Sequence, residues 1–527
     1  MKITKKKVFI ISMAIALVSV ATPSHPFLCL LAFTFGYPTL LIFLYKIDGV
    51  KQRALYLYGC GVIYFLVQMR WMGLAQYQGR MIILVFVVLS LLFAVAYFIL
   101  GYILPKKPAH LTPRIIILTS FIFTFLEYSR LWLVSGFPFH TAGLILTAYD
   151  SSLQLLSIIG LYGLTFIVIA TALIGVKSYY TKKPLPYICA ISLPFFTGLG
   201  LYYTPYPFAH QKKEMKVAIV QTGLLVEQKW LLDGYEDSFI SLKDQLKGLW
   251  EDVKDLEPVD IIILPEACLS GDGRLDRFTK QQLGDIFSND FEPFISGKEK
   301  YSFVDIFSSL SLFMNTDILI GLLSDGYNSA FYFSRGKVVG RYDKRHLVPL
   351  GEYIPISHLQ NLAKRYGLEA SFTPGTAVNV MSGRWRIYPS ICYDEGFPKD
   401  FLSARKLNPD VHVNVSNDAW FKGSVLSDSH FYLGKIRSVE NGIYTLRSCN
   451  TGISAIIDPL GKVVASMREI SSTGELKKGI IIESIKLYNR STLFGFLGNF
   501  GWSFLLAVFI AGLSLFESAK SLNKKSL

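Results

Sequence analysis

Carboxylates are almost missing from the two ends of this chain. Residues 1–204 and 491–527 hold four of them (Asp48, Glu127, Asp150 and Glu517) against 19 lysines and arginines, whereas residues 205–490 hold 35 acidic and 34 basic residues. The formal charge of +14 therefore belongs to the ends. Charge is scarce overall, at 17% of 527 residues, and the mean hydropathy is +0.38. Such a composition excludes both disorder and a wholly soluble chain. It also argues against a nucleic-acid footprint, because the excess positive charge flanks apolar runs and the polar segment is neutral. Cysteine is sparse too: six, at 29, 60, 189, 268, 392 and 449. They are too few and too scattered for a disulfide framework or a zinc-ligand pair, leaving at most a single bridge such as Cys268–Cys449. There is no phosphate-binding P-loop, no Gly-x-Ser-x-Gly elbow and no His-Glu-x-x-His, and the eight histidines do not cluster with carboxylates. No metal and no cofactor is expected. Internal repeats and low-complexity stretches are absent.

What is present is apolar sequence in long runs, at about 8–20, 27–45, 54–69, 81–103, 115–135, 151–176, 186–203 and 493–516. A helix needs roughly 20 apolar residues to cross the hydrocarbon core. The first run is short enough to serve as a signal-peptide core behind Lys2, Lys5, Lys6 and Lys7. The preferred reading retains it as a short first span turning at Pro23 and Pro26. Placing the N-terminus inside gives inner segments 1–7, 46–53, 104–114, 177–185 and 517–527, with 16 Lys/Arg among them. The outer loops 21–26, 70–80 and 136–150 hold two. By the positive-inside rule, seven spans (1–204) deliver an exoplasmic domain at 205–490, and an eighth span (491–527) returns the tail to the cytoplasm.

The central segment alternates short β-branched runs with helical stretches. Strands are expected at Lys216–Gln221, Asp260–Leu264, Asp317–Leu322, Ala330–Phe333, Trp385–Ile391, Val411–Val415, Tyr444–Ser448, Ile453–Ile457 and Ile480–Glu483. Helices are expected at roughly 228–255, 357–366 and 427–441. Turn signals at 334–337 (Ser-Arg-Gly-Lys) and 458–461 (Asp-Pro-Leu-Gly) suggest hairpins. A mixed sheet flanked by helices is the natural layered solution.

Three segments set a reactive side chain at or near a strand end. Ile-Ile-Ile-Leu-Pro-Glu-Ala (261–267) presents Glu266. Gly-Arg-Tyr-Asp-Lys-Arg-His-Leu-Val-Pro-Leu-Gly-Glu-Tyr-Ile-Pro (340–355) carries Lys344 and, eight residues on, Glu352. Ile-Tyr-Pro-Ser-Ile-Cys-Tyr-Asp-Glu (387–395) ends a strand on Cys392. A thiol is a weak nucleophile until its proton is removed; a buried carboxylate can remove it, and a lysine can stabilise the oxyanion that follows. Taken alone, each residue reads more readily as structural: Cys392 as a core thiol, Lys344 as a surface ion-pair partner, Glu266 as a cap.

Taken together, the segments resemble the nitrilase superfamily, and most closely its membrane branch, the bacterial apolipoprotein N-acyltransferases. The matching stretches are Glu-Tyr-Ser-Arg with Ser-Gly-Phe-Pro-Phe (127–130, 135–139), Val-Gln-Thr and Gln-Lys-Trp (220–222, 228–230), His-Leu-Val-Pro-Leu-Gly-Glu-Tyr-Ile-Pro (346–355), Val-Asn-Val-Ser-Asn-Asp-Ala-Trp-Phe (413–421) and Leu-Arg-Ser-Cys-Asn-Thr-Gly-Ile-Ser-Ala (446–455). The resemblance implies an α-helical transmembrane bundle of about eight spans plus an α/β domain built as an αββα sandwich. It implies Glu266 as general base, Lys344 as oxyanion stabiliser and Cys392 as the acylated nucleophile, with Trp230, Glu352 and Tyr393 near the site or on its loops. Trp230 reads equally well as a membrane-interface anchor. The implied reaction moves an acyl chain from a phospholipid, through a thioacyl-cysteine, to the N-terminal amine of a diacylated lipoprotein at a bacterial inner membrane, in a monomeric protein. The sequence departs from the family at Asp394, where Glu is usual, at 267–273, at Lys422 and at Ser429-His430. Two other readings stay open: a membrane-tethered amidase using the same three residues, and a non-catalytic assembly protein with a degenerate nitrilase domain.

Overall fold

A computed structural model describes residues 5–498 apart from 75–80, 134–135, 205–209, 233–234, 288–290, 292–293, 296, 350, 355–371, 422–423 and 469–475. The expected helix at 357–366, Lys422 and most of the apolar run 493–516 lie outside the described residues. The chain forms two compact units: Met1–Leu74, Arg80–Tyr206 and Ser491–Leu527 in one, Ala75–Gly79 and Pro207–Arg490 in the other.

The first unit is helical. Among the described residues, four of its helices are long and apolar enough to cross a membrane: Pro26–Leu44, Ile82–Ile103, Leu156–Thr181 and Leu185–Tyr203. Helices Lys5–Val20, Val50–Gln68 and Pro113–Ser129 accompany them. Large apolar side chains such as Leu185, Leu193, Phe196 and Tyr203 are exposed, a surface suited to hydrocarbon and costly in water. Buried inside this unit, Glu127 and Arg130 pair with one another. They stand one helical turn apart, with their charged atoms 3.8 Å from each other. Glu127 also accepts from Ala142 N at 3.1 Å and Thr165 Oγ1 at 2.9 Å, while Arg130 donates to the His140 carbonyl at 3.4 Å. The pair thus pins the Phe-Pro-Phe loop that follows its own helix.

The second unit is a four-layer α/β domain. Its strands are β1 (His210–Gln221), β2 (Ile261–Leu264), β3 (Phe278–Thr279), β4 (Lys300–Tyr301), β5 (Asp317–Ser324), β6 (Tyr327–Ser334), β7 (Lys337–Asp343), β8 (Met381–Ser382), β9 (Arg386–Ile391), β10 (Val411–Ser416), β11 (Thr445–Cys449), β12 (Ile453–Ile457), β13 (Val463–Arg468) and β14 (Gly479–Asn489). One sheet runs β14-β1-β2-β5-β6-β7 and the other β13-β12-β11-β10-β9-β8, with β3 and β4 as a separate ribbon. Alternation along each strand explains the layering. Val217 and Ile219 of β1 meet Val413 and Val415 of β10 in a core between the sheets. Ala218 and Val220 face outward onto helices Leu242–Val253, Lys280–Phe287 and Phe303–Phe313. Helix Leu426–Asn441 covers the second sheet through Phe431, against Ile453, Ala455 and Ile457. The Ser448 hydroxyl ties the sheets together by donating to Val220 O at 2.8 Å.

One expectation needs correction. The helix expected at 228–255 is interrupted: it forms Val226–Lys229, a 3₁₀ turn Glu236–Ser238, then Leu242–Val253. Ser241 is the reason, because its hydroxyl accepts from Asp244 N at 3.2 Å and so starts a new helix. Strand β7 escaped the sequence pattern because it is a half-exposed edge with charged residues at both ends. All six cysteines are free, so no Cys268–Cys449 bridge forms.

Candidate active site

Strand β2 is buried throughout and ends at Pro265, setting Glu266 just beyond the sheet edge. The backbone there is clamped to β5: Gly321 N donates to Pro265 O at 3.1 Å and Cys268 N to Gly321 O at 2.9 Å. Only glycine fits this approach, since a Cβ at 321 would stand 2.6 Å from Glu266 Cα. The Asn450 amide fixes the glutamate from the other side, donating to its carbonyl oxygen at 2.5 Å.

Lys344 follows β7 directly. It is 1% exposed, and its Nζ donates to Glu352 Oε1 at 2.7 Å and Glu266 Oε1 at 3.1 Å. Burial alone would strip its charge, but Glu266 and Glu352 overcome that and hold the ammonium well above the usual lysine range. Asn328 of β6 completes the cluster. Its side-chain amide donates to Glu266 Oε1 at 2.7 Å and lies 3.3 Å from Glu352 Oε1, while its Oδ1 is buried without a hydrogen-bond partner among the described residues. The sequence reading passed over Asn328; the turn at 325–326 that sets up its hairpin was the available signal.

Cys392 stands where β9 becomes a 3₁₀ turn (Cys392–Gly396), half-buried and with φ of 48°, a left-handed conformation unusual for a residue with a Cβ. Burial and then the charge of Glu266 push its thiol well above the ordinary range, against the pull of Lys344. The thiol is thus protonated at neutral pH and needs a base. The Asp394 carboxylate organises the turn by accepting from His346 N at 2.7 Å, Tyr342 OH at 2.9 Å and Ile391 N at 3.2 Å. That links the Cys392 turn to the strand end carrying Lys344. Tyr393 is buried, its ring edge-on to Phe397.

Glu266, Lys344 and Glu352 are therefore in one hydrogen-bonded cluster, and Cys392 lies within its electrostatic reach. Trp230 is half-buried at the end of helix Val226–Lys229, with no charged partner among its described contacts. Its neighbour Lys229, the middle residue of the Gln-Lys-Trp stretch, is fully buried and donates to the carbonyl of Ala267. Burial lowers the Lys229 pKa to about 8.

Cys392, Asp418 and His430 bring a sulfur, a carboxylate oxygen and a ring nitrogen within 4.8 Å of one another, donors that zinc accepts. Both nitrogens of His430 are already engaged, Nδ1 with Asp418 Oδ1 at 2.9 Å and Nε2 with the Cys392 carbonyl at 3.0 Å. The ring nitrogens of His430 are thus occupied by hydrogen bonds, whereas Asp418 Oδ2 is buried with no hydrogen-bond partner among the described residues.

Residues 216–489 match the carbon-nitrogen hydrolase family, and residues 14–174 match the apolipoprotein N-acyltransferase N-terminal domain. The chain is similar to the apolipoprotein N-acyltransferase of Chlamydia pneumoniae, 28% identical over 539 residues covering 94% of each chain. It is 28% identical to that of Chlamydia caviae, covering 90% of each, and to that of Rickettsia prowazekii, covering 71% of each.

Proposed function

Because this chain belongs to the carbon-nitrogen hydrolase family, and its helical part matches the N-terminal domain of apolipoprotein N-acyltransferases, we propose that it is a lipoprotein N-acyltransferase. The observation that carries the reading is the buried Lys344 held between Glu266 and Glu352, in a chain that also carries membrane-length helices.

The chemistry is acyl transfer in two halves. The protonated thiol of Cys392 gives its proton to Glu266 as sulfur attacks the ester carbonyl of a phospholipid. Lys344 stabilises the resulting oxyanion, and its fixed positive charge is most effective in a site with little water. Collapse breaks the ester C–O bond, leaves a thioacyl-Cys392, and returns the proton to the departing lysophospholipid alkoxide. The N-terminal α-amine of an S-diacylglyceryl-cysteine lipoprotein then attacks the thioester. Glu266 takes the amine proton, and the amide forms with release of the thiol. Both substrates use one site in turn, hence ping-pong kinetics. Glu352 keeps Lys344 charged while Glu266 carries the proton, and in this reading Trp230 and Tyr393 belong to the site or its loops.

Eight spans with both termini cytoplasmic would set residues 205–490 on the outer face of a bacterial inner membrane, where both lipid substrates reside. The charge bias of the inner segments supports that orientation.

The test uses full-length protein in detergent with a phospholipid bearing a tagged acyl chain. Without acceptor, wild type should take up a hydroxylamine-labile label and Cys392→Ala none. Adding a diacylated lipopeptide should discharge the label into an amide. No label on wild type would overturn the reading, and an unmodified lipopeptide would turn it toward an amidase.

A further inference from the structure

Beneath Cys392 lies a second group of charges that the acyl-transfer scheme does not use. His430 is 2% exposed, on helix Leu426–Asn441. Its two hydrogen bonds run to an Asp418 carboxylate oxygen at 2.9 Å and to the Cys392 carbonyl at 3.0 Å. An ionised carboxylate and a carbonyl can only accept, so the ring must carry N–H at both nitrogens, which only the imidazolium does.

The surroundings support that charge from every side. Asp418 reaches His430 from the 3₁₀ turn Asp418–Phe421. Glu395, on the nucleophile's own turn, has Oε2 3.6 Å from Nε2. Glu266 adds a further negative charge from the end of β2. The Ser416 hydroxyl lies 3.5 Å from Nδ1. Opposing the charge are burial and Arg447 of β11, but Arg447 is paired with Glu395. Two buried cations, His430 and Arg447, thus face the buried anions Asp418 and Glu395. Although burial works against it, the pKa of His430 is raised from its ordinary value, chiefly by Asp418.

The bond to the Cys392 carbonyl has a specific task. Cys392 has a Cβ and yet adopts φ of 48°, a conformation that survives only where its surroundings hold it. Two donors hold that carbonyl, His430 Nε2 at 3.0 Å and the Asn414 amide at 3.4 Å. We propose that His430, held as an imidazolium by Asp418, is a positioning residue that locks the left-handed turn presenting the Cys392 thiol. Loss of the Nε2–H proton turns a donor into a lone pair facing a carbonyl oxygen, and the turn is released. The inference rests on Cys392 being the acylated nucleophile.

The experiment reads the rate of thioacyl formation on the full-length protein from pH 6 to 10, with the same tagged phospholipid. Wild type should lose rate on an alkaline limb lying above the ordinary histidine pKa of about 6.5. Lys344 does not contribute to that limb, because its charge persists far beyond the window. Asp418→Asn should move the limb at least one pH unit lower. His430→Gln keeps an amide donor for the Cys392 carbonyl but cannot titrate, so it should fold, retain part of the activity and show no limb. His430→Ala should lose at least 30-fold in acylation rate at every pH. A His430→Gln profile that keeps the wild-type limb, or an Asp418→Asn profile that does not move, overturns the inference. If wild type takes up no label at all, the acyltransferase reading fails instead.

Discussion

Lys344 lies nearer to Glu352, at 2.7 Å, than to Glu266, at 3.1 Å. The cation is therefore shared between two carboxylates, and the nearer one comes from a loop eight residues further along the chain. Both carboxylates hold the lysine charged, and in the proposed scheme Glu352 goes on doing so while Glu266 carries the proton.

Removing that cation leaves two carboxylates facing one another around Asn328. Lys344→Met should abolish thioacyl formation and cost roughly 3–5 kcal/mol of stability, as for other broken buried ion pairs. Because one carboxylate can take up a proton to relieve the repulsion, the loss in melting temperature should shrink as pH falls toward 5. A deficit that does not vary with pH would contradict the shared-cation arrangement.

The Gly321→Ala substitution tests the clamp behind Glu266. The new methyl would stand 2.6 Å from Glu266 Cα and 2.7 Å from Pro265 O, so the backbone carrying the glutamate must shift. We expect a loss of about 1–3 kcal/mol, typical of overpacking, with at least a tenfold drop in acylation rate. Wild-type kinetics in this variant would show that the position of Glu266 is not critical.

Lys229 gives a pH signature in stability. Its pKa is lowered by burial to about 8, below the roughly 10.4 of an unfolded chain. Between those values the unfolded state binds more protons, so stability rises with pH. Relative to Lys229→Met, wild type should gain on the order of 3 kcal/mol between pH 8 and 10.5, read as a difference in melting temperature. Parallel curves would mean that the lysine is charged throughout.

The raised pKa of Cys392 predicts a sluggish thiol in the free protein. Iodoacetamide labelling of the Cys392 peptide at pH 7 should run at least tenfold slower than for an unhindered thiol, accelerating above pH 9. Lys344→Met should slow it further, since Lys344 favours the thiolate. Rapid labelling at neutral pH would indicate a thiolate already formed.

Much of the fold was legible in the sequence because it rests on local pattern. The continuous apolar strand Ile261–Leu264 and the alternation in Val411–Ser416 mark buried strands whatever they pair with. Edge strand β7 was not legible, because a strand half in water carries no hydrophobic signature. Within the site, Glu266, Lys344, Glu352 and Cys392 stand out beside strand ends. Asn328 and His430 do not, since an asparagine beside a turn and a histidine on a helix are ordinary until their partners are known. Their partners lie 62 and 38 residues away.

The sequence by itself determined how charge is distributed along the chain, which runs are apolar enough for a membrane, and which reactive side chains follow strands. Those properties depend on composition and on the two-residue period of the strand. The tertiary structure alone decided that one lysine serves two carboxylates, that Cys392 takes a left-handed turn, and that His430 sits between the Asp418 carboxylate and the Cys392 carbonyl. Each of these depends on the register of strands distant in sequence and on burial, which makes an unpaired charge too costly to leave in place.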